Sequence, residues 1–546
     1  MSRAARFAVL ALSVALLLCV AVPFWNWIPD DAYISFEYAR NFAGGNGLVF
    51  NPGERVEGFS NLLWTLGLAL GARLGASIEL ISRAVSLAAA VISLWLMLLL
   101  FERVVATGGS NGPRTTLWPV ATAMFASATF FPLAFYATAG LETTFYLCLL
   151  LAGAVCHLGA RPGWQYVSHA AFLAAALCRP EGIMFLVVNV IFVMAGRRAG
   201  ALAAPRIGGA AALAVYAAVM AVKHQYFGGI VPNTCFAKPG ASLSYREPLS
   251  RGLRYLVRFF VTSGAVLLLP FAWLAATTRE KRYPWFYIGS FAVCQLGFIV
   301  YVGADVLRFD RFAVPLFPWL VTLALMGVTR RGPLPRDRTG AAARRLFVLA
   351  AAVIMGLSVF RAHRALVKYC DHDWMHARAQ CDIGRFLGPR GALGAFLPED
   401  GTIVTNEIGA IRYYSGRPVI DMLGLTDKTV SAIRYESFQT YGIGSSPWSA
   451  VTVSRYLLDR DPACVIIPST GMLSLHDRTV HRRNMHPLWY AIFTDPRLES
   501  NYRALYRFTI HPQKYLYLFV RDDIEINGPA SPLPTSRCLE TEYIGR

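Results

Sequence analysis

The chain has 546 residues, of which 55% are hydrophobic and only 16% charged. Soluble domains carry about 25% charged residues, so the deficit points away from a soluble protein and toward a polytopic membrane protein. The net charge of +19 would suit a nucleic-acid binder, but the basic residues sit in short loops between apolar runs. That is the positive-inside pattern, which sets membrane orientation, and no nucleic-acid partner is expected.

Arg3 and Arg6 precede an apolar run over 7–27. A signal peptide has an apolar region of about 7–15 residues. This run is about 20 residues, enough to span, and ends in Phe24, Trp25 and Trp27, an interfacial aromatic anchor. It reads as a retained first span. Further spans are expected near 82–101, 117–136, 145–160, 164–178, 183–196, 207–222, 255–277, 284–302, 314–329 and 346–362.

Two stretches need charge to place them. The run 59–74 is apolar but short, and Arg179-Pro180-Glu181-Gly182 splits 164–196 into two short halves. If 59–74 lies along the outer interface and 164–196 forms a hairpin, the basic loops around Arg103, Arg161, Arg206, Arg282 and Arg344 all become cytoplasmic. Eleven spans follow, with the N-terminus inside and the tail outside. The tail from 363 to 546 alternates strand and helix signals: short buried strands at 401–405 and 464–468, a helix at 408–414 and a hairpin from 502–508 and 515–520. The expected organisation is a membrane domain over 1–362 and an extracytoplasmic mixed α/β domain over 363–546.

Ten cysteines show no CxxC or Cys/His metal spacing. Cys235, Cys370, Cys381, Cys464 and Cys538 fall on the expected outer side, and nothing selects a disulfide pair among them.

Charged residues at the outer membrane face are the candidates for chemistry. Pro29-Asp30-Asp31 opens a helix that closes at Gly44-Gly45, and helix capping explains one carboxylate but not both. Arg55 and Glu57 follow the tight turn Asn51-Pro52-Gly53-Glu54, where a solvated loop ion pair is the plain reading. Glu142 ends the segment Ala139-Gly140-Leu141-Glu142, and Arg179 and Glu181 flank Pro180. Charges at such depth face a polar cavity or each other. The loop 223–239 holds Asn233 and Lys238, the latter a phosphate partner or a snorkelling anchor. The loop 303–312 holds Asp305, Arg308 and Arg311.

The run Gly45-Asn46-Gly47-Leu48-Val49-Phe50-Asn51-Pro52-Gly53-Glu54-Arg55-Val56-Glu57, together with Asp30-Asp31, resembles the GT-C glycosyltransferases. These are integral membrane enzymes that take sugar from a polyprenyl-phosphate carrier. The string is especially similar to the mycobacterial terminal arabinofuranosyltransferase (AftB-like) branch. Gly-Leu-Glu at 140–142 and Arg-Pro-Glu-Gly at 179–182 look like recurring pieces of the family. The resemblance implies a polytopic GT-C-like fold and a general base at Asp30 or Asp31, with Arg55 and Glu57 lining the active-site loop. This chain departs from the branch at Arg308, where relatives tend to have His, and at Glu37, where they commonly have Arg.

Together these readings imply an inverting transfer of a monosaccharide, with arabinofuranose as one candidate, from a polyprenyl-phosphate donor. The acceptor would be a cell-envelope glycan, glycolipid or protein, at the plasma membrane. Arg55, Glu57, Glu142, Arg179, Glu181, Asn233 and Asp305 are substrate-site candidates, and Lys238, Arg308 and Arg311 are candidates for the donor phosphate. The sequence requires no cofactor, although some GT-C members use a divalent ion and Asp30, Asp31 and Asp305 could supply ligands. The segments 406–414 and 421–427 resemble the family tail; they are given no catalytic role and are read as packed turns, with a glycan site as the alternative. The rival class is a transporter or flippase for a lipid-linked sugar. Transporters commonly show related halves with mid-membrane sites, whereas here no repeat is seen and the charges gather at one face.

Overall fold

The computed structural model describes residues 1–106, 113–159, 161, 163–195, 203–237, 247–276, 282–303, 305, 307–329, 339–367, 375–441, 445–470, 472–473, 485–511, 514–526 and 540–544. Among these, six helices are long and apolar enough to cross a membrane: Arg3–Phe24, Ile78–Ala106, Arg206–Phe227, Arg282–Val302, Arg311–Val328 and Ala342–Val367. The Arg311–Val328 window is wholly buried and forms the centre of the bundle. This is a multi-pass α-helical membrane protein.

Every run expected to span coincides with a helix or a helix pair, but two are broken. The run 255–277 is not one rod: Leu249–Ser263 and Ala265–Ala276 meet at 82°. Gly264 sits at the joint with φ +71°, a left-handed conformation that glycine adopts without a Cβ penalty. The first of these helices is amphipathic. Leu253, Val257 and Val261 recur every fourth residue on an exposed face, with Arg254 and Arg258 beside them. Such a helix favours a membrane surface over the hydrocarbon core. The run 117–136 is likewise divided, into Pro113–Ala128 and Phe131–Tyr136.

Leu62–Arg73 has 12 residues, a length of ~18 Å at 1.5 Å per residue, short of the ~30 Å hydrocarbon core. Trp164–Cys178 and Gly182–Ala195 have 15 and 14 residues. Their brevity leaves the connecting Arg179–Glu181 tip inside the protein.

The tail carries one six-stranded mixed sheet, formed by β1 (Ile403–Thr405), β2 (Val419–Asp421), β3 (Cys464–Ser469), β4 (Tyr502–His511), β5 (Lys514–Arg521) and β6 (Glu540–Tyr543). The order is β2-β1-β3-β5-β4-β6. The first three strands run parallel, and β3, β5, β4 and β6 pair antiparallel. Residues Cys464–Ile467 are buried throughout, as expected of a strand with both faces covered.

The tail is seated on the membrane bundle through the helix Ile408–Ser415, which packs on the helix Asp30–Ala43. Tyr33 meets the rings of Tyr413 and Tyr414 at 5.4 and 5.6 Å. The Tyr414 hydroxyl donates to Glu79 at 2.6 Å. Asn51 acts as a two-way splice: its Nδ2 donates to the Val419 carbonyl at 2.9 Å, and its Oδ1 accepts the Val419 amide at 3.1 Å.

Candidate active site

A cavity of about 190 Å³ lies beneath this seat, bounded by Asp31, Asn61, Glu142, Arg179, Glu181 and Arg311 among others. The short hairpin delivers Arg179 and Glu181. Arg179 Nε donates to Glu181 Oε1 at 2.6 Å and Nη1 to Glu142 Oε1 at 3.2 Å. Asn61 Nδ2 donates to the other Glu142 oxygen at 2.9 Å, and Asn61 Oδ1 accepts from Ser35 and Thr65 at 3.1 and 3.0 Å. Arg311 grips Asp305 with two bonds, Nε to Oδ2 at 2.7 Å and Nη2 to Oδ1 at 3.1 Å, the fork geometry favoured for carboxylates. The network therefore sets four carboxylates (Asp31, Glu142, Glu181, Asp305) against two guanidinium groups. Its formal balance is negative.

The adjacent carboxylates part company. Asp31 is exposed and edges the cavity. Asp30 instead binds the tail: Oδ2 accepts the Gly409 amide at 3.0 Å and Oδ1 the Ala410 amide at 2.7 Å. It thus caps a helix of the other domain. Gly409 is needed for this approach, since a Cβ there would lie 2.1 Å from the Asp30 carbonyl oxygen. Burial, and then the charge of Glu407, push the Asp30 carboxyl up to about 7, while the two amides pull it down.

The other sequence candidates scatter. Glu57 is buried and paired with Lys223 at 2.6 Å, outside the first cavity. Burial raises its carboxyl and Lys223 opposes the rise. Arg55 is exposed, with its guanidinium 4.8 Å from the centre of the Tyr226 ring. Asn233 staples the bundle to the tail, with Nδ2 donating to the carbonyls of Gly424 and Leu425 at 2.7 and 3.1 Å. Arg308 is exposed beside the cavity loop, and its carbonyl accepts the Tyr136 hydroxyl. Lys238 lies outside the described residues.

Three features escape a linear reading. Glu37, fully buried, pairs with Arg412 of the tail at 3.0 Å and Arg40 at 2.5 Å; its departure from the family pattern is visible in sequence, its partner is not. Asp310 is buried between Arg258 and Arg361, at 3.0 and 2.5 Å. Phe309 and Asp310 both take positive φ, 65° and 55°, a conformation costly outside glycine unless its surroundings impose it. Here Phe309 is pinned by Phe131 and Phe135, and Asp310 by its two arginines. Asn61 is the third: it precedes a helix, as an N-cap would, yet its side chain reaches across to Glu142.

Of the two segments read as packed turns, 421–427 is one, whereas 406–414 is mostly the helix Ile408–Ser415 that seats the tail. The Asp421 carboxylate accepts the amides of Leu423 and Thr426 at 2.7 and 2.9 Å. Among the described residues no group of three His, Cys, Asp or Glu side chains is placed to hold a metal ion. With Asp30 committed to the tail amides, the trio Asp30, Asp31 and Asp305 does not fit one.

A helical bundle with short broken helices over a buried charge network, capped by a mixed α/β tail, is a fold shared with solved membrane proteins. The ArnT structure from Cupriavidus metallidurans, solved with undecaprenyl phosphate, superposes with TM-score 0.53 and 13% identity over 95% of this chain and 99% of that one. An oligosaccharyltransferase from Archaeoglobus fulgidus gives TM-score 0.53 and 12% identity over 96% of this chain and 75% of that one. In sequence, the chain is similar to a terminal β-(1→2)-arabinofuranosyltransferase of Mycobacterium tuberculosis, 30% identical over 280 residues, 47% of this chain and 42% of the relative. The corresponding protein of Corynebacterium glutamicum is 27% identical over 348 residues, 56% of this chain and 48% of the relative. The chain thus spans under half the length of each curated relative it matches. Residues 372–523 match a family described as Domain of unknown function (DUF8728).

Proposed function

We propose that the chain is an inverting membrane glycosyltransferase that moves a monosaccharide from a polyprenyl-phosphate donor to a cell-envelope glycan, glycolipid or protein. The observation that carries this reading is the divergence of the two carboxylates: Asp31 alone edges the charged cavity, while Asp30 is held by the tail. The likeness to arabinofuranosyltransferases makes arabinofuranose the first sugar to test. In this reading the protein sits in the plasma membrane with its N-terminus cytoplasmic and its tail outside.

In the proposed step, Asp31 takes the proton from the acceptor hydroxyl as that oxygen bonds to the anomeric carbon. The bond from that carbon to the phosphate oxygen breaks, and the polyprenyl phosphate leaves with the electron pair. A single in-line displacement inverts the anomeric centre. Proton removal in the transition state accounts for a factor of about 10²–10⁴. Arg308, exposed beside the cavity, is the phosphate contact in this scheme. Arg311, already doubly bonded to Asp305, holds the loop that presents it. Arg179 fixes Glu142 and Glu181 in the cavity wall.

Purified protein in lipid nanodiscs, given synthetic polyprenyl-phosphoryl-arabinofuranose and an arabinofuranose oligosaccharide, should extend the acceptor by one sugar of inverted configuration. Mass spectrometry and NMR read the product. Absence of transfer with every donor sugar tried, together with movement of the intact lipid-linked sugar across a liposome bilayer, would overturn the reading in favour of transport.

A further inference from the structure

A second cavity, of about 430 Å³, lies beside the first, between the end of the Arg206–Phe227 helix and the tail helix Lys428–Tyr441. The two share a wall one chain thick. Glu57 and Asn233 line the second cavity, while the next residues along the chain, Gly58 and Thr234, line the first. A ligand extending away from Asp31 on the tail side therefore has a ready-made space beside it.

The lining suits one kind of ligand. Phe236 and Tyr435 stand edge to face, with centroids 5.5 Å apart and planes at 87°. Glu57 and Lys428 face the same space, and Glu436 stands exposed at its edge. An acyl or prenyl chain would fit the rings but would strip water from the exposed Lys428 and Glu436, which is costly without compensating bonds. A polyanion would meet the exposed Glu436 carboxylate, while Glu57 and Lys223 neutralise one another and the Lys428 ammonium is already bonded to the Phe227 carbonyl. A neutral polyhydroxylated chain meets both demands, its C–H faces on the rings and its hydroxyls on the charged groups. The frame is rigid before any ligand arrives: Ser431 Oγ donates to Asn233 Oδ1 at 2.8 Å, and Lys428 Nζ donates to the Phe227 carbonyl at 2.6 Å. Preorganisation of this kind lowers the cost of binding.

We infer that this second cavity is a subsite for a neutral glycan, holding the acceptor sugars behind the one being extended at Asp31. The inference rests on the transferase reading above. It separates the residues that retain the acceptor from those that perform the transfer.

The test uses the full chain in nanodiscs and a synthetic linear arabinofuranose hexasaccharide as probe, followed by saturation-transfer NMR and by acceptor kinetics. Tyr435→Ala removes a ring, and Ala432→Trp fills the cavity from an exposed position. Each should weaken hexasaccharide binding about tenfold and raise its KM by a similar factor. The kcat, and the KM for a monosaccharide acceptor, should stay near those of the parent. Hexasaccharide binding and KM unchanged in both variants would overturn the subsite, as would absence of hexasaccharide binding by the parent. Displacement of the hexasaccharide by free polyprenol would do so too, in favour of a lipid groove. Binding by the parent that both variants lose, without transfer of any sugar, would leave the subsite standing and sink the transferase reading instead.

Discussion

Adjacent side chains on a helix diverge by about 100°, and that angle sends Asp30 onto the amides of Gly409 and Ala410 while Asp31 edges the cavity. The two asparagine substitutions should therefore fail differently. Asp31→Asn should lower turnover by about 10²–10⁴ with donor binding and melting temperature close to the parent. In Asp30→Asn one acceptor oxygen becomes an NH₂ facing a backbone amide, so tail docking should lose ~1–3 kcal/mol. That loss would be read as a lower melting temperature and faster proteolytic release of the tail, with a smaller fall in turnover. Equal, full turnover in both variants would remove the carboxylate from the mechanism. The Asp30 carboxyl, raised from 3.8 to about 7, also predicts a pH response. A folded-state value above the unfolded one gives stability that is complete below the unfolded value and is lost as pH rises through the folded value. Tail release should thus quicken between about pH 5 and about pH 8 in the parent and follow a flatter profile in Asp30→Asn. Arg308 has its own signature. Arg308→Ala should weaken donor and free polyprenyl phosphate by similar factors whatever the sugar, and Arg308→Lys should restore the loss only in part, because lysine cannot make the paired contact. Unchanged polyprenyl-phosphate binding in Arg308→Ala would place the phosphate elsewhere.

Elements were legible in the sequence where pattern alone decides them, and illegible where two distant parts must meet. Apolar length read where the membrane-domain helices lie, though six of the described helices, not eleven, are long and apolar enough to span, and alternating or short buried runs read β1, β3 and the β4–β5 hairpin correctly. The bend at Gly264 was missed because the run 255–277 is apolar enough on average. It holds one arginine, Arg258, and the Arg254 that shares its exposed face lies just ahead of the run. The clamp on Asp310 was missed for another reason, since Arg258 and Arg361 lie 52 and 51 residues away. Asp30 and Asp31 could not be told apart, because the group that captures Asp30 lies 379 residues downstream. The packing at Gly409 turns that capture into a test. A Cβ there would stand 2.1 Å from the Asp30 carbonyl oxygen and 3.0 Å from its Cγ, and backbone cannot yield by that much. Gly409→Ala should lift the tail helix, lowering melting temperature and turnover together. Gly356→Ala, with nothing within 4 Å of the added Cβ, should do neither. A Gly409→Ala protein with parental stability would show that the tail is not seated as described.

At the scale of the whole molecule, the tail and the Asp30–Ala43 helix are locked together by the Asp30 cap, the buried Glu37–Arg412 pair and the Asn51 splice. They must therefore share one side of the membrane. Which side that is depends on charge alone: the basic loops argue that the opposite face is cytoplasmic. The two parts of this statement can be separated by cysteine labelling in a cysteine-free background. Glu54 and Asp400 are exposed, one in the first loop and one in the tail. Glu54 is a better probe than its neighbour Gly53, whose φ of +87° would strain any side chain. Arg282, exposed at the start of its helix, reports the other face. In intact cells an impermeant thiol reagent should label Glu54→Cys and Asp400→Cys, and should reach Arg282→Cys only after permeabilisation. Labelling at one of Glu54 and Asp400 without the other would contradict the docked structure itself. Labelling at Arg282 alone would leave the structure intact and invert it in the membrane, placing the Asp31 cavity on the cytoplasmic side.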